Sequence, residues 1–139
     1  MEFEMLKGKF TRDSARQLNP LVLAFVGDAI YEIFVRTYIV DKNRDMSVHK
    51  LHLEAISFVK AHEQSELMKK ILDDLSEEEL SIYKRGRNSK SAAPKNANMQ
   101  EYRTATGFEA LLGYLYLTEQ VDRLNSLFHR IIDIKYITT

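Results

Sequence analysis

Two carboxylates stand where a helical core has least use for them. Asp28 interrupts the apolar run "LVLAFVGDAIYEIFV" of residues 21–35, and Glu109 lies within "TGFEALLGYLYL", residues 106–117. Neither has Lys or Arg within one helical turn, and an isolated carboxylate taken out of water costs several kcal/mol or must take up a proton. Three arrangements would compensate: hydrogen bonds from neighbouring side chains, a proton shared between the two acids, or a divalent cation held between two helices. Gly27 and Gly113 bear on the choice. Each costs about 1 kcal/mol relative to alanine inside a helix, a cost commonly offset where another backbone approaches closely. Helices that close would bring Asp28 and Glu109 together. Glu32 lies four residues beyond Asp28, about 40° around the helix; it is either a third acid on the same face, an outer partner of the other two, or a solvated glutamate.

The elements that must position these acids all read as helices. Asn19 followed by Pro20 has the form of an N-cap with proline at the first helical position, so a helix is expected from there to about Val40. Asp28 then lies two turns inside and does not cap it. A second segment sets Val48, Leu51, Ala55, Phe58 and Val59 on one face behind Ser47, and a third carries Leu67, Met68, Ile71 and Leu72. Ser76 with Glu79 forms a capping box that opens a short helix towards Lys84. Residues 86–98, "GRNSKSAAPKNAN", hold Gly, Pro, Ser and Asn without apolar periodicity and read as an exposed loop. Helical spacing resumes at Met99, and Val121, Leu124, Phe128 and Ile131 mark a last amphipathic helix. No strand is expected. The methionines are dispersed and read as core filler.

Composition narrows the classes. A chain of 139 residues has the usual size of one domain, so residues 1–139 are read as a single unit. Twenty basic residues balance twenty acidic ones, so any charged patch is local. The absence of cysteine removes disulfides, thiolate zinc sites and thiol nucleophiles, and suits a reducing cytoplasm. Asp28, Glu32 and Arg36 argue against a bilayer span at the first apolar run, and the N-terminus lacks a signal-peptide layout. The expected location is cytoplasmic, away from membranes.

"LAFVGDAIYE" resembles the signature Glu-Phe-Leu-Gly-Asp-Ala/Ser of the ribonuclease III catalytic domain, and "TGFEALLG" resembles its second motif, Asp-x-x-Glu-Ala-Leu-Ile/Leu-Gly. The two occur in the right order, separated by helical segments, and the likeness covers roughly residues 15–136. It leaves no room for the double-stranded-RNA-binding domain of ordinary ribonuclease III, and in this brevity the chain resembles the mini-ribonuclease III family of bacteria. The resemblance implies an all-α, homodimeric endonuclease-domain helical bundle that cleaves double-stranded RNA with Mg2+, or Mn2+ in its place, and leaves 5′-phosphate and 3′-hydroxyl ends. It implies a role in maturing the 23S ribosomal RNA precursor, and a ribosomal protein as a helper. It assigns the metal-binding catalytic acids to Asp28 and Glu109 and a dimer contact to Phe25, for which core packing is the plain alternative. Two motif acids are replaced, by Ala24 and Thr106, so Thr106 and Glu32 are left as outer partners of the metal. Magnesium commonly needs only one or two carboxylates, with water and substrate phosphate completing its shell.

A basic segment fits an RNA partner. Between Glu79 and Glu101 there is no acid, whereas Lys84, Arg85, Arg87, Lys90 and Lys95 all fall there. Duplex RNA is held chiefly through phosphates and 2′-hydroxyls, so these five are the expected RNA-binding residues, set against a merely solvated loop. His49, His52 and His62 lack the acidic pair that would complete a zinc site and read as surface or core residues. Two other function classes remain: a catalytically silent RNA-binding or ribosome-associated module of the same fold, and a redox-metal bundle, which wants paired Glu-x-x-His motifs that are absent.

Overall fold

In a computed structural model, which describes residues 3–90 and 92–137, all regular elements are helical. In chain order they are α1 (Arg12–Arg16), α2 (Pro20–Lys42), α3 (Val48–Val59), α4 (Ala61–Ile71), α5 (Glu77–Arg87), α6 (Met99–Leu117) and α7 (Val121–Ile137), with single 3-10 turns at Glu4–Leu6 and Leu72–Asp74. No helix among the described residues is long and apolar enough to cross a membrane.

The helices start where their capping residues direct. The Leu21 N–H donates to Asn19 Oδ1 at 2.8 Å, with Pro20 at the first helical position. Ser47 accepts from the Lys50 N–H at 3.3 Å. Ser76 and Glu79 exchange both bonds of the capping box, at 2.9 and 3.1 Å. Three expectations need correction. Helix α5 continues through Gly86 to Arg87, because Gly86 packs tightly on α6 and that contact outweighs the helix cost of glycine. Helix α1 is an addition: at five residues it is too short for periodicity to reveal, and its Thr11–Ser14 capping box holds it. Of the methionines, Met68 is core, but Met5 and Met99 are exposed.

Helix α6 is the axis of the bundle. Phe108, Ala110, Leu111, Leu112, Tyr114 and Leu115 are all buried, and α2, α5 and α4 pack around it. On the α2 side the two backbones touch. A Cβ added at Gly27 would lie 1.7 Å from the Glu109 carbonyl oxygen, and one at Gly113 would lie 1.9 Å from that of Leu23. On the α5 side, a Cβ at Gly86 would lie 2.9 Å from Gly107 Cα and 2.8 Å from Ala110 Cβ. Small residues on two sides of one helix thus let both neighbours approach it closely. Larger groups fill the remainder: the Tyr31 ring stands edge-on to Phe108, centroids 5.1 Å apart, and Phe34 stacks on Phe128 at 4.1 Å.

The α2–α6 contact gives a prediction of sign. In a free helix Gly→Ala stabilises by about 1 kcal/mol. Here Gly27→Ala or Gly113→Ala must push backbone away from backbone, and each is expected to destabilise by about 3 kcal/mol. Urea unfolding followed by circular dichroism measures it.

Candidate active site

The crossing of α2 and α6 decides where the two acids go. Gly27 rests on the carbonyl of Glu109 itself, so Asp28, the next residue of α2, emerges beside the Glu109 side chain. The two carboxyl groups face each other closely enough to hydrogen-bond. Their settings differ from the buried pair that the apolar runs suggest: Glu109 is half-buried, but Asp28 is exposed. Helix α2 is apolar on nearly every side because one face meets the core and another lies open, so its hydropathy overstates the burial of Asp28.

Burial is the largest influence on Glu109, followed by the hydrogen bond and charge of Asp28, and together they push its carboxyl up to about 8. At neutral pH, without a counter-charge, this group holds a proton. Glu32 adds a smaller repulsion, although its carboxylate is itself engaged by Arg36, Nε to Oε2 at 3.0 Å. Thr106 is buried, and its hydroxyl donates to the Tyr102 carbonyl at 2.9 Å. That hydroxyl is spent on its own helix.

One neighbour escapes a reading of the sequence. Gln64, near the start of α4, is 3% exposed; its amide nitrogen donates to the Val59 carbonyl at 2.9 Å, and its side chain is a hydrogen-bond partner of Glu109. A lone glutamine in the amphipathic stretch "AHEQSELMKKI" gives no sign of this. Only the packing of α4 on α6 reveals it.

The donors available to a cation are therefore two convergent carboxylates, all hard oxygen. Among the described residues no group of three or more His, Asp or Glu side chains is arranged to hold a metal. That set fits Mg2+ in its sparse mode, in which one or two carboxylates bind and substrate phosphate completes the shell. It does not fit an all-protein cage. The repulsion from Asp28 and Glu32, which adds to burial in raising Glu109, is the charge problem that a divalent cation would remove.

The basic residues divide by their contacts. Lys84, Lys90 and Lys95 are exposed. Arg87 is half-buried, lying over the Tyr83 ring at 5.6 Å and donating to Asn88 Oδ1 at 3.2 Å. Arg85 braces the fold, its guanidinium donating to the carbonyls of Arg16 at 2.8 Å and Leu18 at 3.2 Å. Phe25 is 80% exposed, so it is no core residue. His49 and His52 are exposed, and His62 pairs with Glu101 at the start of α6.

A ribonuclease III domain model matches residues 21–120, a span that includes both acid-bearing helices. A Mini-ribonuclease 3 of Clostridium tetani is 51% identical over 91% of this chain and 84% of its own length. This chain belongs to the mini-ribonuclease III family. A second family member, from Thermoanaerobacter, is 51% identical over 84% of this chain and 82% of its own length. The fold agrees as well: a crystal structure of a Fusobacterium nucleatum protein, 33% identical, superposes with a TM-score of 0.77 over 86% of this chain and 96% of that one.

The raised Glu109 carboxyl would make binding of a cation at this pair depend on pH. A cation must displace the proton that the pair holds, so affinity is expected to increase from pH 6 to pH 8 and to level off above that. Calorimetric titration with Mn2+ across this range, with proton release counted in two buffers, checks the direction.

Proposed function

We propose that the protein is a metal-dependent endoribonuclease that hydrolyses phosphodiesters of double-stranded RNA. The observation that carries this reading is the convergence of Asp28 and Glu109, from two separate family motifs, at a solvent-accessible edge. The chemistry that a divalent cation supplies at such a site is activation of water for attack on phosphorus and neutralisation of charge on the phosphoryl oxygens. The residues present suit that task. Asp28 and Glu109 hold and orient the cation, and no side-chain nucleophile is required. The open position of Asp28 leaves room for the phosphate to approach. Lys84, Lys90 and Lys95, exposed between Glu79 and Glu101, supply phosphate contacts, with Arg87 at the margin. Family likeness supports the 23S ribosomal RNA precursor as natural substrate, with or without a ribosomal protein helper, and the lack of cysteine suits cytoplasmic work.

The working unit in this reading is a homodimer. Val22, Phe25, Ala29, Ile33 and Val40 recur at helical spacing along α2, and all are exposed. Beside them an apolar groove of about 1300 Å3 runs between α2 and α7, with Ile30, Ile33, Phe34, Val121, Leu124 and Phe128 in its walls. A projecting aromatic and an apolar recess on the same chain suit a self-complementary two-fold contact. Replacing Phe25 by glutamate is expected to halve the mass measured by light scattering at micromolar concentration, with the helical circular dichroism unchanged.

Cleavage is tested directly by incubating long double-stranded RNA with the protein, with and without Mg2+. We expect 5′-phosphorylated products only with the metal. In Asp28→Asn and Glu109→Gln, loss of a metal carboxylate is expected to remove about 4 kcal/mol of transition-state stabilisation, a factor of about 1000 in single-turnover rate. RNA binding by gel shift should be retained. Cleavage at the normal rate in either variant would remove that residue from the mechanism, and RNA binding without cleavage in the unaltered protein would overturn the nuclease reading altogether.

A further inference from the structure

Among the described residues, Gln64 is the one buried polar side chain that both touches the acid pair and leaves an atom unmatched. Its NH2 group has two hydrogens and two acceptors to serve: the Val59 carbonyl at 2.9 Å, at the last residue of α3, and the Glu109 carboxylate on α6. Turning the amide over would set its oxygen against the Val59 carbonyl, which can only accept, so the orientation is fixed by exclusion. The consequence falls on Oε1, which is buried and has no hydrogen-bond partner among the described residues. An unmatched buried acceptor costs free energy. A residue chosen only to pack between α3, α4 and α6 would avoid that cost with Leu or Met. The backbone makes the site firm: Gln64 lies in the first turn of α4, where its own N–H donates to the Lys60 carbonyl at 3.0 Å. The side chain therefore projects from a helix start whose position is already set.

We propose that Gln64 is a positioning residue for the metal centre: its amide, anchored on the α3 C-terminus, holds the Glu109 carboxylate in the orientation that receives the cation. The inference rests on the metal-dependent nuclease reading above. It also gives the α3–α4 corner a purpose, since the same amide ties the end of α3 to a ligand on α6. Partners that orient a metal ligand are commonly worth 10- to 100-fold in metal affinity.

The test is Mn2+ affinity, measured by electron paramagnetic resonance at one pH for the unaltered protein, Gln64→Met, Gln64→Leu and Asp28→Asn. We expect both Gln64 variants to bind Mn2+ about 10-fold more weakly and to bind duplex RNA, in Ca2+ without cleavage, as tightly as before. Their single-turnover cleavage should recover at raised Mn2+, a rescue that a packing defect would not show. Affinity within twofold of the unaltered protein in either folded variant would overturn the inference. If neither variant folds, side-chain amide NMR of the unaltered protein decides: we expect the Gln64 NH2 resonances to shift on Mg2+ addition, and unmoved resonances would overturn it. Failure of the underlying reading looks different, because then the unaltered protein and Asp28→Asn would bind Mn2+ equally poorly.

Discussion

The contact between the α2 and α6 backbones at Gly27 and Gly113 is the constraint on which the rest depends. It is a steric fact before it is a chemical one, since no side chain fits between Gly27 and the Glu109 carbonyl. Small residues at a helix crossing give up conformational entropy and apolar burial, and here they gain a fixed distance between two main chains. Side chains that leave those main chains next to the crossing inherit that fixed distance. Asp28 follows Gly27 directly, and Glu109 carries the carbonyl on which Gly27 rests. Their meeting is therefore a property of backbone packing, which holds a site more firmly than the rotamers of long side chains could.

Electrostatics then works on a geometry already given. Burial first, and then the hydrogen bond and charge of Asp28, make it hard for both carboxyl groups to ionise, and Glu109 is raised to about 8. Nearby charge is managed locally: Arg36 engages Glu32, so the third acid acts on the pair at reduced strength. A different acid in the fold shows the opposite outcome. Burial of Glu79 favours its neutral form, but the bidentate Arg123 guanidinium, at 2.7 and 2.9 Å, and the Ser76 cap outweigh this and hold its carboxyl below the usual range. Glu79 thus joins α5 to α7 as a satisfied ion pair. Two acids that face each other without a basic partner, in contrast to Glu79 with its Arg123, are what distinguish a binding site from scaffold here.

What can be read in the sequence follows from the range of each interaction. Caps are local, so Asn19, Ser47 and Ser76 mark the starts of α2, α3 and α5 through residue types and spacing alone. The glycine pair is legible too, because Gly27 and Gly113 break the logic of their helices, and only close approach repairs it. Burial is less legible: α2 is apolar on faces that do not share one environment, so Asp28 and Phe25 look equally eligible for the core and both are exposed. Tertiary contact defeats the reading of Gly86 as a loop residue, since its helical state depends on Gly107 and Ala110, twenty or more residues away in the chain. Arg85 and Gln64 are opaque for the same reason. A guanidinium that donates to Arg16 and Leu18 carbonyls, and an amide that spans α3 and α6, have partners that no local spacing encodes.

The unequal exposure of the two acids suits the proposed reaction better than two buried ones would. A phosphodiester in a duplex is bulky and polyanionic, so a ligand sunk in the core could not meet it, and one fully in water would exert little field. Glu109, half-buried beside Gln64, lies where the dielectric is low and its orientation is fixed. Asp28, on the open side of α2, lies where a phosphate can arrive. The exposed aromatic ring of Phe25 lies about one turn before it on the same helix. In a dimer built on that face, the second copy would wall one side of the acid pair, exclude water there and leave the RNA a single direction of approach. A monomer of this fold would hold the same two carboxylates with one wall missing, which ties the proposed assembly to the proposed chemistry by dielectric and access as well as by symmetry.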